Sequence, residues 1–506
     1  MHEEQELVNI IDQFVLPPKK EFIISEEDEL DLIESASLLI EELVQRNPMA
    51  YIYPNFHESI VAETFEMLLQ VFDENSTILL SKEDIAAEEE RKEELEDRYV
   101  KLETTLQTII AEAMNLFYTH IAPRRSYRKT FIRANNSQNF AKLAEQIEYL
   151  KSVPQPDQRT TEWYAFRYRY LTASNIWKAF ISQSTKNQLI YEKCQPLLSA
   201  DTRTVTLSVN TETPMHWGNK YEPVSVALYE QKYRTTVSEF GCIPHKSIPF
   251  IAASPDGINT DKSSSRYGRM LEVKNIVNRE INGNPKMEYW VQMQLQLEVC
   301  DLKECDFLET RFVEYENEEE FMADSLPCEA AAGACEAAGA CEAAGACEAA
   351  GARQNPFLAI DEKQKGIIMY FINNGKPHYE YYIPDYYNVS AETTPLDHYK
   401  RWEETMMAKN EANMWIKNLY WKLDQFSCVL VLRNKFWFNA AKPALDDIWH
   451  IIEKERVEGF AHRAPNKRVP SLTSAASQKK KMLNMPTDIE LPTKICYITM
   501  AAINAD

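Results

Sequence analysis

The first 150 residues carry the spacing of apolar positions that is typical of amphipathic helices. Over residues 30–44 apolar side chains recur every three or four positions, and Asn47-Pro48 is placed to end that helix. The same spacing returns over about 58–72 and 81–118. We therefore predict an all-helical N-terminal domain.

Beyond residue 150 the pattern changes to short apolar strands that alternate with helices. Helices are predicted over 162–180, from Trp217-Gly218 onward, and over 286–298, 396–423 and 443–455. Strands are predicted over 248–253, 270–273, 305–315, 366–372, 378–383 and 427–438. Asn373-Asn374-Gly375-Lys376, between two of these strands, favours a tight hairpin turn. The alternation predicts an α/β (α+β) domain with a mixed central sheet flanked by helices.

A tandem repeat interrupts this domain. Residues 328–352 are four copies of Cys-Glu-Ala-Ala-Gly-Ala, the first lengthened by one alanine, and the glycine in each copy weakens a helix. We predict a poorly ordered insertion that plays no part in catalysis. The predicted organisation is an acidic helical domain, an α/β core, the insertion, the second part of the α/β domain and a flexible tail, over 1–150, 151–325, 326–354, 355–460 and 461–506.

The net charge of −22 belongs almost wholly to the N-terminal region. Residues 1–100 hold 27 acidic and 7 basic residues, so the rest of the chain holds 77 − 27 = 50 acidic and 55 − 7 = 48 basic residues. The nearly neutral α/β domain can therefore carry a basic channel for nucleic acid. The acidic helices are open to two interpretations: a bundle that packs on the α/β domain or on a second copy, or a surface that binds a protein partner or mimics DNA.

A basic, aromatic segment follows those helices. Arginines and lysines alternate there with aromatic side chains, a composition that suits phosphate contacts and base stacking and would equally balance the acidic helices. The residues are Arg124, Arg125, Tyr127, Arg128, Lys129, Phe131 and Arg133.

Ten cysteines and the N-terminus predict an intracellular protein. No Cys-x-x-Cys pair occurs, which argues against a zinc ribbon or an iron–sulfur cluster and favours reduced thiols. The acidic start of the chain lacks the pattern of a signal peptide, and no apolar run is long enough to span a bilayer.

The candidate chemistry lies between residues 254 and 274. Ser254-Pro255-Asp256-Gly257 is a turn sequence, and residues 271–274 read as a strand on which Glu272 and Lys274 share one face. A hairpin would bring Asp256 to that face, and two carboxylates suit a hard cation such as Mg²⁺. Taken singly, the two motifs are more often a plain turn and a solvated strand face.

This pattern resembles the signature of the PD-(D/E)xK nucleases. More specifically, the chain resembles the YqaJ-type viral recombinase family, relatives of phage lambda exonuclease. The blocks that carry the resemblance are Trp163-x-x-x-Arg167-x-x-x-Leu171-Thr172-Ala173-Ser174, Trp217-Gly218-x-x-x-Glu222-Pro223, the Asp256…Glu272-Val273-Lys274 core, and Tyr289-x-x-Gln292-x-Gln294.

The resemblance implies a restriction-endonuclease-like core and a Mg²⁺ site, with Mn²⁺ as a substitute and two ions bound. It assigns Asp256, Glu272 and the Val273 carbonyl as ligands and Glu222 to a second ion or its waters. Lys274 would polarise the attacking water, and Gln292 would hold a metal-bound water or a phosphate. The implied DNA contacts are Arg167, Ser174 and Ser254 around a terminal 5′-phosphate, with Arg279 and Gln294 nearby. The family's arginine follows the lysine at a slightly different spacing from that of Arg279.

Arg167 and Ser174 would share one face of an unbroken helix, or an intervening loop would bring them together. The implied activity is 5′→3′ digestion of duplex DNA in recombination or repair, in the cytoplasm of an infected host cell. An endonuclease, including a RecB-like nuclease of a CRISPR-type defence system, is the alternative among enzymes. Outside enzymes, the alternative is an interaction protein that acts through residues 1–150, and we also expect a homo-oligomer or a protein partner of that region.

Overall fold

The computed structural model describes residues 26–75, 89–128, 137–156, 160–197, 211, 213–327, 354–386 and 395–465. The Cys-Glu-Ala-Ala-Gly-Ala repeat, residues 129–136 and the tail beyond 465 lie outside the described residues. The chain divides into two compact units, Met1–Pro123 with Lys435–Trp437, and Arg124–Asn434 with Phe438–Asp506. None of the helices described is long and apolar enough to cross a membrane.

Among its described residues, the first unit has the three α-helices α1 (Glu26–Arg46), α2 (Phe56–Asn75) and α3 (Glu89–His120). The chain leaves α1 at Asn47, and a short 3₁₀ helix begins at Pro48, where the proline nitrogen cannot donate a hydrogen bond. Most of the apolar positions predicted to face inward are buried, among them Ile40, Leu43, Val44, Leu106, Ile109 and Ile110, whereas Leu30 and Leu116 are exposed. The predicted helical N-terminal region is therefore confirmed.

The described residues of the second unit form twelve strands and eight α-helices that lie wholly or mostly within it. The strands are β1 (Leu171–Thr172), β2 (Val237–Ser238), β3 (Ile243–Pro244), β4 (Ile251–Ala253), β5 (Gly257–Asn259), β6 (Met270–Asn275), β7 (Glu304–Tyr315), β8 (Leu326–Pro327), β9 (Gln354–Asn355), β10 (Lys365–Asn373), β11 (Lys376–Tyr382) and β12 (Met414–Leu432). The helices are α4 (Ser137–Ser152), α5 (Thr161–Tyr168), α6 (Gln183–Cys194), α7 (Pro214–Tyr233), α8 (Met287–Val299), α9 (Glu318–Ala323), α10 (Pro395–Lys409) and α11 (Lys435–Glu458).

Seven strands form the central sheet in the order β11-β10-β12-β7-β6-β5-β2. Only β6 and β7 pair in parallel within it, and the other neighbours pair antiparallel. A smaller sheet has the order β1-β4-β3, with β1 parallel to β4. The predicted mixed sheet flanked by helices is confirmed.

Two helices position the site on this sheet. The buried side chains of α7, including Tyr221 and Val224, pack with Phe312 and Trp421 of the central strands. Helix α8 packs against β4 and β7 and is buried along most of its length. Gln292 and Gln296, four residues apart on α8, therefore project from one face of a helix that is held firmly by its packing.

The hairpin of β10 and β11 forms where its turn sequence predicts. Asn374 has a φ of 49° and Gly375 a φ of 77°. Both residues of this two-residue turn have the left-handed backbone that matches the twist of the flanking strands. Asn and Gly are the residues that adopt this conformation at least cost.

The structure corrects three predicted elements. Residues 162–180 are not one helix, because Leu171–Thr172 pairs with β4 and separates α5 from a 3₁₀ turn at Ile176–Ala179. The helix predicted over 396–423 ends at Lys409, and the chain from Met414 to Leu432 is a strand that pairs with both β10 and β7. We also predicted a strand over 427–438, but its last residues, from Lys435 onward, begin α11.

The boundary between the two units also differs from the predicted one. It falls after Pro123, so α4 belongs to the second unit although we predicted it in the N-terminal domain. In this unit Gln146 of α4 donates a hydrogen bond to the carbonyl of Cys300. The ring of Phe140 lies 4.8 Å from that of Tyr267. Helical spacing alone does not show which core a helix covers.

Candidate active site

A short hairpin brings Asp256 to the strand that carries Glu272 and Lys274. Gly257 of β5 pairs with Leu271 of β6, and the Val273 amide donates a 2.7 Å hydrogen bond to Asp256 Oδ2. A Cβ on Gly257 would lie 2.2 Å from a methyl carbon of Val237, so a side chain would displace the neighbouring strand β2. The glycine after Asp256 is therefore required for the close packing of β5 on β2.

Glu272 lies beneath this hairpin, and both of its oxygens accept hydrogen bonds. The side chain is 0% exposed. Lys274 Nζ donates to Oε1, and Gln296 Nε2 donates to Oε2 over 2.7 Å. The same Gln296 nitrogen also donates to the Ser254 carbonyl over 3.0 Å. One amide on α8 thus ties β6 to the segment that leads into Asp256.

The charges of this cluster perturb one another. Burial raises the pKa of Asp256 well above its usual value, the charge of Glu272 raises it further, and Glu222 adds to the effect. Burial alone would lower the pKa of Lys274, but the carboxylates of Glu272 and Asp256 outweigh it, so the pKa is raised and the ammonium stays charged. Two close carboxylates thus share one lysine, which leaves negative charge that a cation would relieve.

Arg167 and Ser174 also meet, although not along a continuous helix. Helix α5 ends at Tyr168, and the chain passes through β1 before it reaches Ser174. Arg167 Nη2 lies 3.1 Å from Ser174 Oγ and 3.5 Å from Thr172 Oγ1. The guanidinium carbon is 4.3 Å from the centre of the Trp163 ring. The Trp163 ring and the two hydroxyl groups fix the orientation of the guanidinium, whose planar set of N–H donors suits a phosphate.

The small sheet places Ser254 beside this pair. Strands β1 and β4 are parallel, with Thr172 opposite Ala252. Parallel strands end at the same edge of a sheet, so the chain segments that follow them, with Ser174 and Ser254, emerge together. The arrangement explains why two serines 80 residues apart in sequence line the same cavity.

One cavity of about 700 Å³ joins the two clusters. Nine of the eleven sequence-predicted site residues line it: Arg167, Ser174, Glu222, Ser254, Asp256, Val273, Lys274, Arg279 and Gln292. Glu272 is buried behind the cavity wall, where it accepts a hydrogen bond from Lys274, a residue that lines the cavity. Arg279 donates to Glu309 and lies 5.3 Å from the Tyr289 ring, which Lys274 Nζ also approaches at 5.2 Å.

Gln294 is the predicted site residue that the structure places elsewhere. It is 1% exposed, its Nε2 donates to the Leu432 carbonyl, and its Oε1 accepts from the Asn434 amide. We predicted a contact with DNA, but a side chain so buried and so bonded holds α8 to the end of β12. We therefore leave Gln294 out of the proposed site.

Sequence reasoning missed the role of Gln296. It lies four residues after Gln292, the spacing that puts two side chains on one helix face. Because Gln292 was already assigned to the site, this spacing could have predicted that Gln296 faces the site too.

Part of the basic segment also has a structural role. Arg125 is buried and donates hydrogen bonds to Asn284 and to the carbonyl of Pro285, both just before the start of α8. Arg124 and Arg128 are exposed. The remaining predicted basic residues of this segment lie outside the described residues.

The donor set fits a divalent hard cation. Asp256, Glu272 and the Val273 carbonyl offer oxygen, which Mg²⁺ and Mn²⁺ prefer, and each carboxylate oxygen keeps a lone pair beyond the hydrogen bonds described. Across the described part of the chain, no three His, Cys, Asp or Glu side chains gather closely enough to hold one ion by themselves. Glu222 therefore lies in the same cavity without completing a three-carboxylate group around Asp256 and Glu272.

Comparison with known proteins identifies the region around this cavity. Residues 162–303 match the family model of the YqaJ-like viral recombinase domain. The predicted YqaJ-type resemblance is confirmed for this segment. Every predicted site residue lies within the YqaJ-like segment.

Two further comparisons extend beyond the YqaJ-like segment. An uncharacterised protein of Acanthamoeba polyphaga mimivirus is 27% identical over 354 residues, which cover 66% of this chain and 58% of that protein. The chain therefore matches little more than half the length of this relative. A crystal structure of an alkaline exonuclease from Laribacter hongkongensis, LHK-Exo, covers 64% of this chain and 100% of its own at 16% identity and a TM-score of 0.30. Its complex with dAMP gives the same values. At this TM-score the likeness carries no conclusion about activity.

Proposed function

We propose that this protein is a metal-dependent deoxyribonuclease that digests duplex DNA from 5′-phosphorylated ends. The observation that carries the proposal is the single cavity that contains both the carboxylate–lysine cluster and the Arg167–Ser174 pair. A terminal phosphate at the second cluster would place a nearby phosphodiester at the first. The YqaJ-like match supports a role in recombination or repair of viral DNA.

Each cluster has a separate task in this proposal. Arg167, Ser174 and Ser254 hold the terminal phosphate through charge-assisted and hydroxyl hydrogen bonds. Lys274 orients the attacking water and offers its charge to a phosphate oxygen, since its ammonium remains protonated. Gln292, on the cavity wall, supports that water or the phosphate. Arg279 contacts the DNA backbone near Lys274.

The metal would be held by Asp256, Glu272 and the Val273 carbonyl. A bound Mg²⁺ or Mn²⁺ supplies Lewis-acid stabilisation of the phosphate and an acidified water. Glu222, which lines the same cavity, would hold a second ion or its waters. Asp256 is fixed for this task by the Val273 amide, and Glu272 by Lys274 and Gln296.

The test compares three substrates: 5′-phosphorylated linear duplex, 5′-hydroxyl linear duplex and a covalently closed circle. The proposal predicts faster digestion of phosphorylated ends, no cutting of the circle, and inhibition by EDTA. Arg167→Ala should reduce the phosphate preference on the order of tenfold, the value of one charge-assisted hydrogen bond. Arg169→Ala is the matched control, because Arg169 is an exposed arginine at the end of the same helix.

Two results would contradict the proposal. Cleavage of the closed circle would identify an endonuclease. An identical rate ratio on the two end chemistries in wild type and Arg167→Ala would remove the phosphate pocket.

A further inference from the structure

Arg456, a basic residue far from the phosphate pocket in sequence, contacts the helix that carries Arg167. Arg456 of α11 donates from Nη2 to the Tyr168 carbonyl over 2.7 Å, and from Nη2 and Nε to the Lys193 carbonyl over 2.8 and 3.0 Å. Tyr168 is the last residue of α5, and Lys193 lies in the last turn of α6. One guanidinium thus joins the carboxyl ends of two helices.

The chemistry of helix ends explains why a guanidinium suits this place. The last carbonyls of a helix lack partners within the helix and carry partial negative charge. A planar group with several N–H donors can bind two such ends at a fixed separation. Arg456 is itself oriented by stacking, with its guanidinium carbon 4.0 Å from the Tyr168 ring and 5.3 Å from the Trp449 ring.

Lys193 connects this clamp to Arg167. Its Nζ donates to the Arg167 carbonyl over 3.2 Å, on the last turn of α5. Arg167 in turn reaches Ser174 from that same turn. The backbone from which the Arg167 side chain projects is therefore held by Lys193 directly and by Arg456 through the next carbonyl.

We propose that Arg456 and Lys193 are positioning residues of the 5′-phosphate pocket, which hold the last turn of α5 so that Arg167 faces the terminal phosphate. The inference rests on the proposed function, because it assigns these residues to the same pocket. Neither residue lines the cavity, so they act through Arg167.

The charges around Lys193 agree with an anion site. Burial, followed by the charges of Arg167 and Arg456, lowers the pKa of Lys193 to about 7, while Cys242 and Glu192 act in the opposite direction. The Glu192 carboxylate is engaged by Lys178 at 2.7 Å. A bound phosphate would offset the mutual repulsion of the three cations.

The experiment measures binding and turnover separately in the full-length protein. Binding of 5′-phosphorylated and 5′-hydroxyl duplexes is followed by fluorescence anisotropy in EDTA, where no cleavage occurs. Steady-state kinetics in Mg²⁺ then gives KM and kcat on both ends. The variants are Arg456→Met, Arg456→Lys, Lys193→Met and Lys193→Arg.

Arg463→Met is the matched control. Arg463 lies just beyond α11, its side chain is similarly enclosed, and it bonds Glu455 and Asn187 of α6 without a described contact to α5. Its loss should lower the melting temperature in the same way as the loss of Arg456. Its phosphate preference should equal that of wild type.

We expect Arg456→Met and Lys193→Met to lower the affinity ratio of phosphorylated to hydroxyl duplex about tenfold. The change should appear in KM for phosphorylated ends, with kcat on hydroxyl ends unchanged. Arg456→Lys and Lys193→Arg should retain part of the preference because the charge remains.

Three results would overturn the inference. The first is a wild-type ratio in Arg456→Met together with a melting temperature lowered as in Arg463→Met, which would make Arg456 a packing residue. The second is a ratio lowered equally in the Arg463→Met control. The third is a wild-type protein that cleaves DNA without phosphate preference, which would remove the pocket as well. A wild type that prefers phosphorylated ends in EDTA but does not cleave would instead contradict the proposed catalysis and leave this inference supported.

Discussion

Replacement of Gln296 by methionine tests the most buried contact of the candidate site. The side-chain amide is 0% exposed, and it donates to both Glu272 and the Ser254 carbonyl. Methionine has nearly the same length and no donor, so the variant removes the two hydrogen bonds while it fills the space. The Glu272 carboxylate would keep Lys274 as its donor and lose the second.

The expected loss follows from the charge of the acceptor. A hydrogen bond to a charged group contributes roughly 1.5–3 kcal/mol, and its loss frees Glu272 to rotate away from the position opposite Asp256. Removal of such a support for a metal ligand typically lowers metal affinity about 10–100-fold. We therefore expect a Ca²⁺ or Mg²⁺ dissociation constant raised on that order, and a matching shift in the Mg²⁺ concentration that gives half-maximal cleavage.

Gln294→Met provides a control on the same helix. Gln294 is also buried and also makes two hydrogen bonds, but to the Leu432 carbonyl and the Asn434 amide. Both variants should lower the melting temperature, because each leaves buried polar groups without a partner. Only Gln296→Met should weaken the metal.

The assay is isothermal titration of each protein with Ca²⁺ in the absence of DNA, which does not depend on turnover. Thermal unfolding of the same samples reports the loss of stability. The reasoning would be refuted if Gln296→Met bound Ca²⁺ like wild type, or if both variants lost metal affinity to the same degree.

Three further predictions follow from other contacts. Asp256→Ala, Glu272→Ala and Lys274→Ala should each abolish cleavage in Mg²⁺ with an unchanged circular dichroism spectrum, and near-normal turnover in any of them would remove that residue from the site. Burial lowers the pKa of Lys365 from 10.5 to about 8. Between pH 8 and pH 10.5 the unfolded chain therefore binds more protons than the folded one, and the free energy of unfolding of the wild type should rise with pH. Urea unfolding of Lys365→Met should not show this rise. Gly375→Ala should cost about 1 kcal/mol, since φ is 77° and the space is open, and an unchanged urea midpoint would contradict it.

Local sequence signals were sufficient to predict that Asp256, Glu272 and Lys274 come close together. The turn at Asp256 and the alternation around Val273 are short-range features, and their side-chain directions follow from strand geometry. The Asn374-Gly375 turn was predictable for the same reason. In each case the residues that determine the geometry are neighbours in sequence.

Elements whose geometry depends on distant partners were predicted less well. Residues 162–180 have helical character, yet pairing of Leu171–Thr172 with β4 breaks the helix. The chain from Met414 to Lys422 could have continued α10, but it pairs with β10, and from Tyr420 onward it also pairs with β7. Tertiary pairing of this kind overrides a local preference of less than about 1 kcal/mol per residue.

The segment from Ser254 to Asp256 links the two halves of the proposed chemistry. Its first residue shares the cavity with Arg167, its carbonyl is held by Gln296, and its last residue accepts from the Val273 amide. Only three residues span the two clusters. A 5′-phosphate held by the Arg167 cluster therefore determines which phosphodiester of the DNA strand lies at the Asp256 cluster. An enzyme built in this way measures its cut from a terminus, whereas an internal site offers no terminal phosphate to hold. That geometric argument is our reason to propose an exonuclease, and the end-chemistry ratio tests it directly.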